Sequence, residues 1–247
     1  MARRPRLAWA GLAGLAAAQV GYGLARARRS PSDLTGATRA IVGLGLASSV
    51  LEAAESRGRR GVAAVVLAGA VGFAAELVGV ATGRPFGRYE YTDRLGPRVA
   101  GVPLLAAAAW ALMARPAWVA AGWITARPAL RVPLAAGALT AWDVFLDPRM
   151  ARDGYWIWRE GGRYEGIPAS NYAGWLATGV AAFAAWPALV GGRPDARDDA
   201  ALAAYAWTAG GETFANAALW RRPVTAAAGA AAMGVLAVPA LARRLAR

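Results

Sequence analysis

The stretch Val62–Thr82 reads VAAVVLAGAVGFAAELVGVAT and carries a single charge, Glu76. About 20 apolar residues in a helix cross the roughly 30 Å hydrocarbon core of a bilayer. Residues 62–82 have that length and that composition. Within them Gly69, Gly72, Glu76, Gly79 and Gly83 recur at steps of three and four, which places them on one helix face. Small residues let a second helix approach closely. Glu76 is therefore expected to point into a bundle of helices rather than into lipid. An ionisable residue inside a span is costly there and marks a candidate functional site. Two roles suit Glu76: chemistry, or a structural hydrogen bond to a neighbouring helix.

Working outward, the same apolar texture recurs along the 247 residues. Candidate spans fall at about 7–25, 36–55, 62–82, 99–125, 129–146, 171–190, 200–219 and 224–242. The expected fold class is all-α, a polytopic transmembrane helical bundle of seven to eight spans in one integral membrane domain, residues 1–247. The fourth span carries Arg115-Pro116, so it is expected to kink or split there. Met1–Arg6 followed by an apolar run has the form of a signal peptide. The run Leu7–Ala25 is longer than a signal core and further spans follow, so a retained first helix is expected.

Hydrophobic residues make up 57% of the chain and charged residues 17%, against about a quarter charged in soluble domains. All 28 basic residues are Arg, and most lie in short loops between spans. The net charge of +13 therefore reads as a surface facing anionic lipid, with no nucleic acid as partner. Arg divides almost evenly between the two sides, so it does not orient the chain. There is no Cys and no His. Thiol and imidazole chemistry and zinc sites of the usual kind are excluded. Carboxylates, Arg, Tyr and hydroxyls remain.

Strict alternation puts the two long connections, 83–98 and 147–170, on one side of the membrane. Asp143 and Asp147, four apart on one face, end the fifth span on that side. Asp147-Pro148 also has the form of a helix cap followed by Pro at the first helical position. Thr208, Glu212 and Asn216 form a polar stripe at four-residue spacing in the seventh span, and Glu212 and Asn216 approach the same side. Ser48, Glu52 and Glu55 form a comparable stripe that ends on the opposite side. Glu55 reads as interfacial, and Glu52 is left open. Glu76, Asp143, Asp147, Asn171, Glu212 and Asn216 thus converge beneath two loops rich in Gly and aromatics. Interfacial anchoring accounts for many Trp residues. It accounts less well for aromatics, Gly and acids clustering in those two loops.

At these loops the chain resembles the CruF-type carotenoid hydratases, the carotenoid biosynthesis protein family. The matching segments begin with Phe86-Gly87-Arg88-Tyr89-Glu90-Tyr91-Thr92, Leu95-Gly96 and Gly101-Val102-Pro103-Leu104. They continue through Ala141-Trp142-Asp143, Asp147-Pro148-Arg149-Met150 and Gly154-Tyr155-Trp156-Ile157-Trp158. Gly161, Tyr164, Gly166-Ile167-Pro168, Asn171 and Gly174-Trp175 complete them. The resemblance implies an integral membrane enzyme of the hydro-lyase type in the cell membrane. It would add water to the terminal double bond of an acyclic carotenoid and release a tertiary alcohol. The implied substrates are lycopene-like, γ-carotene-like or C50 precursors of bacterioruberin. Membrane lipid and other enzymes of the pathway are the implied partners, and no cofactor is implied.

The residues suit that chemistry. Desolvation in an apolar bundle favours the neutral form of a carboxyl group, which can then donate a proton to the alkene. A second carboxylate or an Asn can orient water and take its proton. Aromatic faces can stabilise the cation, each by about 0.5–2 kcal/mol. The expected roles are Asp143 as general acid, with Glu76 or Asp147 orienting water. Tyr89, Tyr91, Trp142, Trp156 and Trp158 are expected to line the end-group pocket, with Arg88 holding a carboxylate ionised. Asn171, Glu212 and Asn216 are further expected to meet the substrate. Two other classes stay open: a membrane prenyltransferase or terpenoid cyclase, and a non-enzymatic lipid-binding or transport protein. The spacing Asp143…Asp147 is the nearest approach to an Asp-rich magnesium motif. No metal ligand set is otherwise expected.

Overall fold

The computed structural model describes residues 6–247. Residues 1–5 of the basic segment Met1–Arg6 lie outside the described residues. Helix α1, Arg6–Arg26, covers the first expected span. The helical run α2, Thr35–Thr82, covers the second and third. Gly58 breaks it at φ 62° and ψ −148°, dividing it into arms 35–57 and 59–82. A side chain at Gly61 would sit 2.4 Å from the Ala53 carbonyl oxygen, so the arms close tightly at this turn. Helix α3 is Leu104–Ile124, and α4 is Pro128–Arg152. The sixth span is split into α5, Ala169–Phe183, and the short α6, Trp186–Val190, with Pro187 in its first turn. Helix α7, Asp199–Phe214, passes into a π-helical turn at Ala215–Leu219, and α8 is Pro223–Leu245.

Among the described residues five helical stretches are long and apolar enough to cross a membrane, and one of them contains both arms of α2. The connections sort into two sets. On one side Arg26 pairs with Asp153, the Tyr155 hydroxyl donates to Thr38 at 2.8 Å, and Thr225 donates to Glu165 at 2.8 Å. On the other side Arg57 and Arg115 both reach Asp198, and Arg131 reaches the Gly192 carbonyl at 2.6 Å. Glu55 accepts from the Ala8 N–H at 2.7 Å and so caps the start of α1 on that side, as an interfacial residue does. This is the alternation expected for eight passes of the chain. Apolar side chains such as Val66, Val78, Val235 and Val238 are exposed on the outside, where a helical bundle meets lipid.

Two expectations about proline change. Helix α3 runs unbroken through Arg115-Pro116. Arg115 is buried and ties α3 to Glu52 and Ser56 of α2 and to Asp198, so neighbouring contacts brace the unsplit helix beside the proline. Helix α4 likewise continues past Pro148 to Arg152, so Asp147 does not cap a new helix. Pro148 has no N–H for the Val144 carbonyl four residues back. The Tyr164 hydroxyl donates to that carbonyl at 2.9 Å instead.

The long connections are more ordered than a helical reading suggests. Strand β1, Tyr89–Tyr91, anticipates a partner from the other loop. Residues 99–103, expected as the start of the fourth span, instead form with Arg98 a small hairpin of β2, Arg98–Val99, and β3, Val102–Pro103. Ala100 and Gly101 turn it at positive φ. Strand β4, Trp156–Trp158, pairs antiparallel with β1, matching Tyr89 to Trp158 and Tyr91 to Trp156. This two-stranded cap closes one end of an all-α membrane bundle.

Candidate functional site

The glycine stripe of α2 does what its spacing suggested. A side chain at Gly72 would strike the Trp110 ring, and one at Gly79 would meet the Phe86 ring and the Tyr89 hydroxyl at 2.8 Å. The second arm of α2 therefore lies directly against α3 and the cap. Glu76 sits between these contacts and is buried. Its carboxylate accepts from the Tyr89 hydroxyl, from the Tyr91 hydroxyl at 2.9 Å and from Trp110 Nε1 at 3.1 Å. Burial, and after it the nearby carboxylate of Glu76, pushes both phenol groups up, so they remain neutral donors.

The cap joins this acid to a second group. Tyr89 packs on Trp158 with ring centres 5.0 Å apart, and Tyr91 on Trp156 at 5.7 Å. Both indoles donate to Asp147 Oδ1, at 2.7 Å from Trp156 and 2.9 Å from Trp158. Asn171 Nδ2 donates to Asp147 Oδ2 and to Asp143 Oδ2, each at 2.7 Å. Asp143 Oδ1 is buried and has no hydrogen-bond partner. Glu76, Asp143, Asp147 and Asn171 thus gather beneath the paired loops. The aspartates are engaged by amide and indole N–H groups.

An apolar cleft of about 1860 Å³, counted to its open mouth, enters the bundle beside this group. It is lined along α2 from Thr38 to Glu52, a rise of about 21 Å. Val20, Leu24, Trp207 and Phe214 line it and are also exposed on the outside, so its mouth lies between α1 and α7. Glu76, Tyr91, Trp142 and Trp156 form its inner wall with Trp110 and Trp175, whose rings stack at 3.9 Å. Asp143, Asp147, Asn171, Tyr89 and Trp158 stand outside the lining. The periodicity of α4 explains the split. Trp142, Leu146, Arg149 and Met150 turn one stripe to the cleft, and Asp143 and Asp147 lie on the adjacent stripe.

The expected contact between Arg88 and a buried carboxylate is not formed. The Arg88 side chain is 72% exposed and lies 3.8 Å from Glu160. Arg149 meets a cleft carboxylate instead, donating to Glu212 Oε1 at 2.6 Å. Asn216 Nδ2 donates to the Glu212 carbonyl at 2.9 Å. Trp110, Trp175 and Arg149 line the cleft and were absent from the site expected on sequence. Trp175 and Arg149 lie within the quoted motifs, and Trp110 is the residue that the missing side chain of Gly72 admits.

A family model described as "Carotenoid biosynthesis protein" matches residues 36–238. The chain belongs to the carotenoid biosynthesis protein family. The matched region takes in every element that lines the cleft except α1. A bisanhydrobacterioruberin hydratase of Haloarcula japonica is 33% identical over 129 residues, 50% of this chain. The match spans 43% of that relative's length. No solved structure matches the chain.

Proposed function

We propose that this chain is a carotenoid hydratase that adds water across the terminal C=C of an acyclic carotenoid end group and releases a tertiary alcohol. Family membership and the similar bisanhydrobacterioruberin hydratase support a carotenoid substrate. The observation that carries the chemistry is Glu76, a carboxyl group in the wall of an apolar cleft whose partners are all neutral. Glu52 and Glu212 also line the cleft, and each is paired with an Arg. A buried negative charge needs compensation. The Arg residues provide it at Glu52 and Glu212, and nothing cationic provides it at Glu76. Glu76 Oε1 accepts only from Trp110, which leaves room there for a proton.

In this reading Glu76, rather than Asp143, gives its proton to the CH carbon of the terminal double bond. The tertiary cation forms beside Trp110, Trp142, Trp156 and Trp175, and water adds to it. Asp143 and Asp147 stand behind the wall, where Asp147 holds β4 in place through the two indoles and Asn171 joins it to Asp143. The unpartnered Oδ1 of Asp143 offers a second seat for a proton on its way back to Glu76.

Expression in hosts that make lycopene, γ-carotene or a C50 precursor, with mass spectrometry of the pigments, tests the reading. A gain of one water is expected with at least one of them. Glu76→Gln removes the donor and lowers the product by at least about 100-fold. Absence of any hydrated pigment in all three hosts, with the protein present in the membrane, overturns the proposal.

A further inference from the structure

The cleft that Glu76 lines also holds the pair Arg149 and Glu212. Arg149 and Glu212 both line it, their side chains 17% and 13% exposed, and they pair at 2.6 Å. The pair is held in place from two directions. The Arg149 guanidinium lies 5.8 Å from the Trp220 ring centre. Asn216, on the π-helical turn, donates to the Glu212 carbonyl and lies 3.4 Å from Glu212 Oε2. The π-helical turn ends α7, with Glu212 in the last α-helical turn before it and facing the cleft. Glu212 Oε1 is taken by Arg149, while Oε2 has only the long contact with Asn216. One carboxylate oxygen is thus left open to a further donor, and water is the donor that hydration requires.

We infer that Glu212, paired with Arg149, is the base that activates the water, while Glu76 supplies the proton. The inference rests on the hydratase reading. Its step balances without any co-reactant beyond water. The Glu76 O–H bond breaks and a C–H bond forms at the less substituted carbon with the π electrons. The water oxygen forms a bond to the tertiary cation, and one of its protons passes to Glu212 Oε2. Return of that proton to Glu76 through water resets the site. Glu212 is then a catalytic residue, and Arg149 and Asn216 are positioning residues.

Deuterium labelling separates the two halves. Solubilised protein is given lycopene, or whichever substrate the wild type hydrates, in D2O, and alcohol and recovered substrate are both analysed by mass spectrometry. Binding is followed by quenching of Trp fluorescence by the polyene. In Glu212→Gln the alcohol falls by about 100-fold. Deuterium still enters the recovered substrate, because the cation forms and loses a proton again. In Glu76→Gln neither alcohol nor deuterium appears. The inference is overturned if Glu212→Gln binds the polyene and yields alcohol at the wild-type rate, or loses deuterium entry together with alcohol. Should Glu212→Gln not accumulate, Glu212→Asp is read in the same way, since it keeps the base and withdraws it. Alcohol must then fall more than deuterium entry, and an equal fall in both overturns the inference. A wild type that neither hydrates nor labels any of the three substrates refutes the hydratase reading itself.

Discussion

A methyl group on Gly72 would lie 2.1 Å from Trp110 Cγ. Its absence allows the indole to lie against α2 and donate to Glu76. Gly72→Ala is therefore expected to cost about 1–3 kcal/mol through overpacking and to displace Trp110. Thermal unfolding in detergent measures the first effect, and loss of hydrated pigment measures the second. Arg88 provides the opposite case. Its side chain is exposed and touches no acid of the site. Arg88→Ala should leave both pigment yield and melting temperature unchanged, and a loss of product would place Arg88 in the site after all. The two residues show what single positions in a sequence disclose. Glu76 and its glycine stripe could be read from spacing, because helical periodicity alone sets which residues share a face. The partners of Arg88 and Arg149 could not. A long charged side chain reaches its partner through rotamers, and the position in the chain says little about its direction.

Tyr89-Glu90-Tyr91 and Trp156-Ile157-Trp158 alternate aromatic with other residues, the period of a strand. That alternation was visible in the sequence, but pairing across the intervening residues 92–155 depends on the helices that bring the loops together. Helix α4 holds a comparable lesson. Asp147-Pro148 has the form of a helix start, and a hydroxyl from a later loop overrides it by satisfying the carbonyl that Pro148 leaves free. Tyr164→Phe removes that donor and should cost about 1–3 kcal/mol, read as a lower melting temperature. An unchanged melting temperature would mean that another donor satisfies Val144. The break in α2 is a further element-scale test. Gly58 adopts φ 62° and ψ −148°, a region open essentially to Gly alone. Gly58→Ala is expected to lose about 1–3 kcal/mol of stability by the same measurement.

Across the whole molecule the chemistry and the strongest ion network occupy opposite ends. Arg115 is almost fully buried and reaches Glu52, Ser56 and Asp198, and Arg57 also reaches Asp198. Together they bind α2, α3 and the start of α7. Removing one partner of a buried ion pair costs about 3–5 kcal/mol. Asp198→Asn should therefore lower the amount of folded protein while leaving product per folded molecule near wild type. A selective loss of turnover would contradict a purely structural role. The all-α membrane class and the gathering of Glu76, Asp143, Asp147 and Asn171 were legible because hydropathy sets the spans and alternation sets the sides. The cleft was not, because an internal void depends on how several helices tilt and pack together. Its dimensions carry one last consequence. At about 21 Å along α2 it is shallower than the roughly 30 Å of hydrocarbon around it, and its mouth opens sideways between α1 and α7. Under the proposed function, a polyene long enough to span the bilayer would leave its tail among the lipid chains and enter only by its tip. Two pigments of unequal length that share one terminus are then expected to compete as equals.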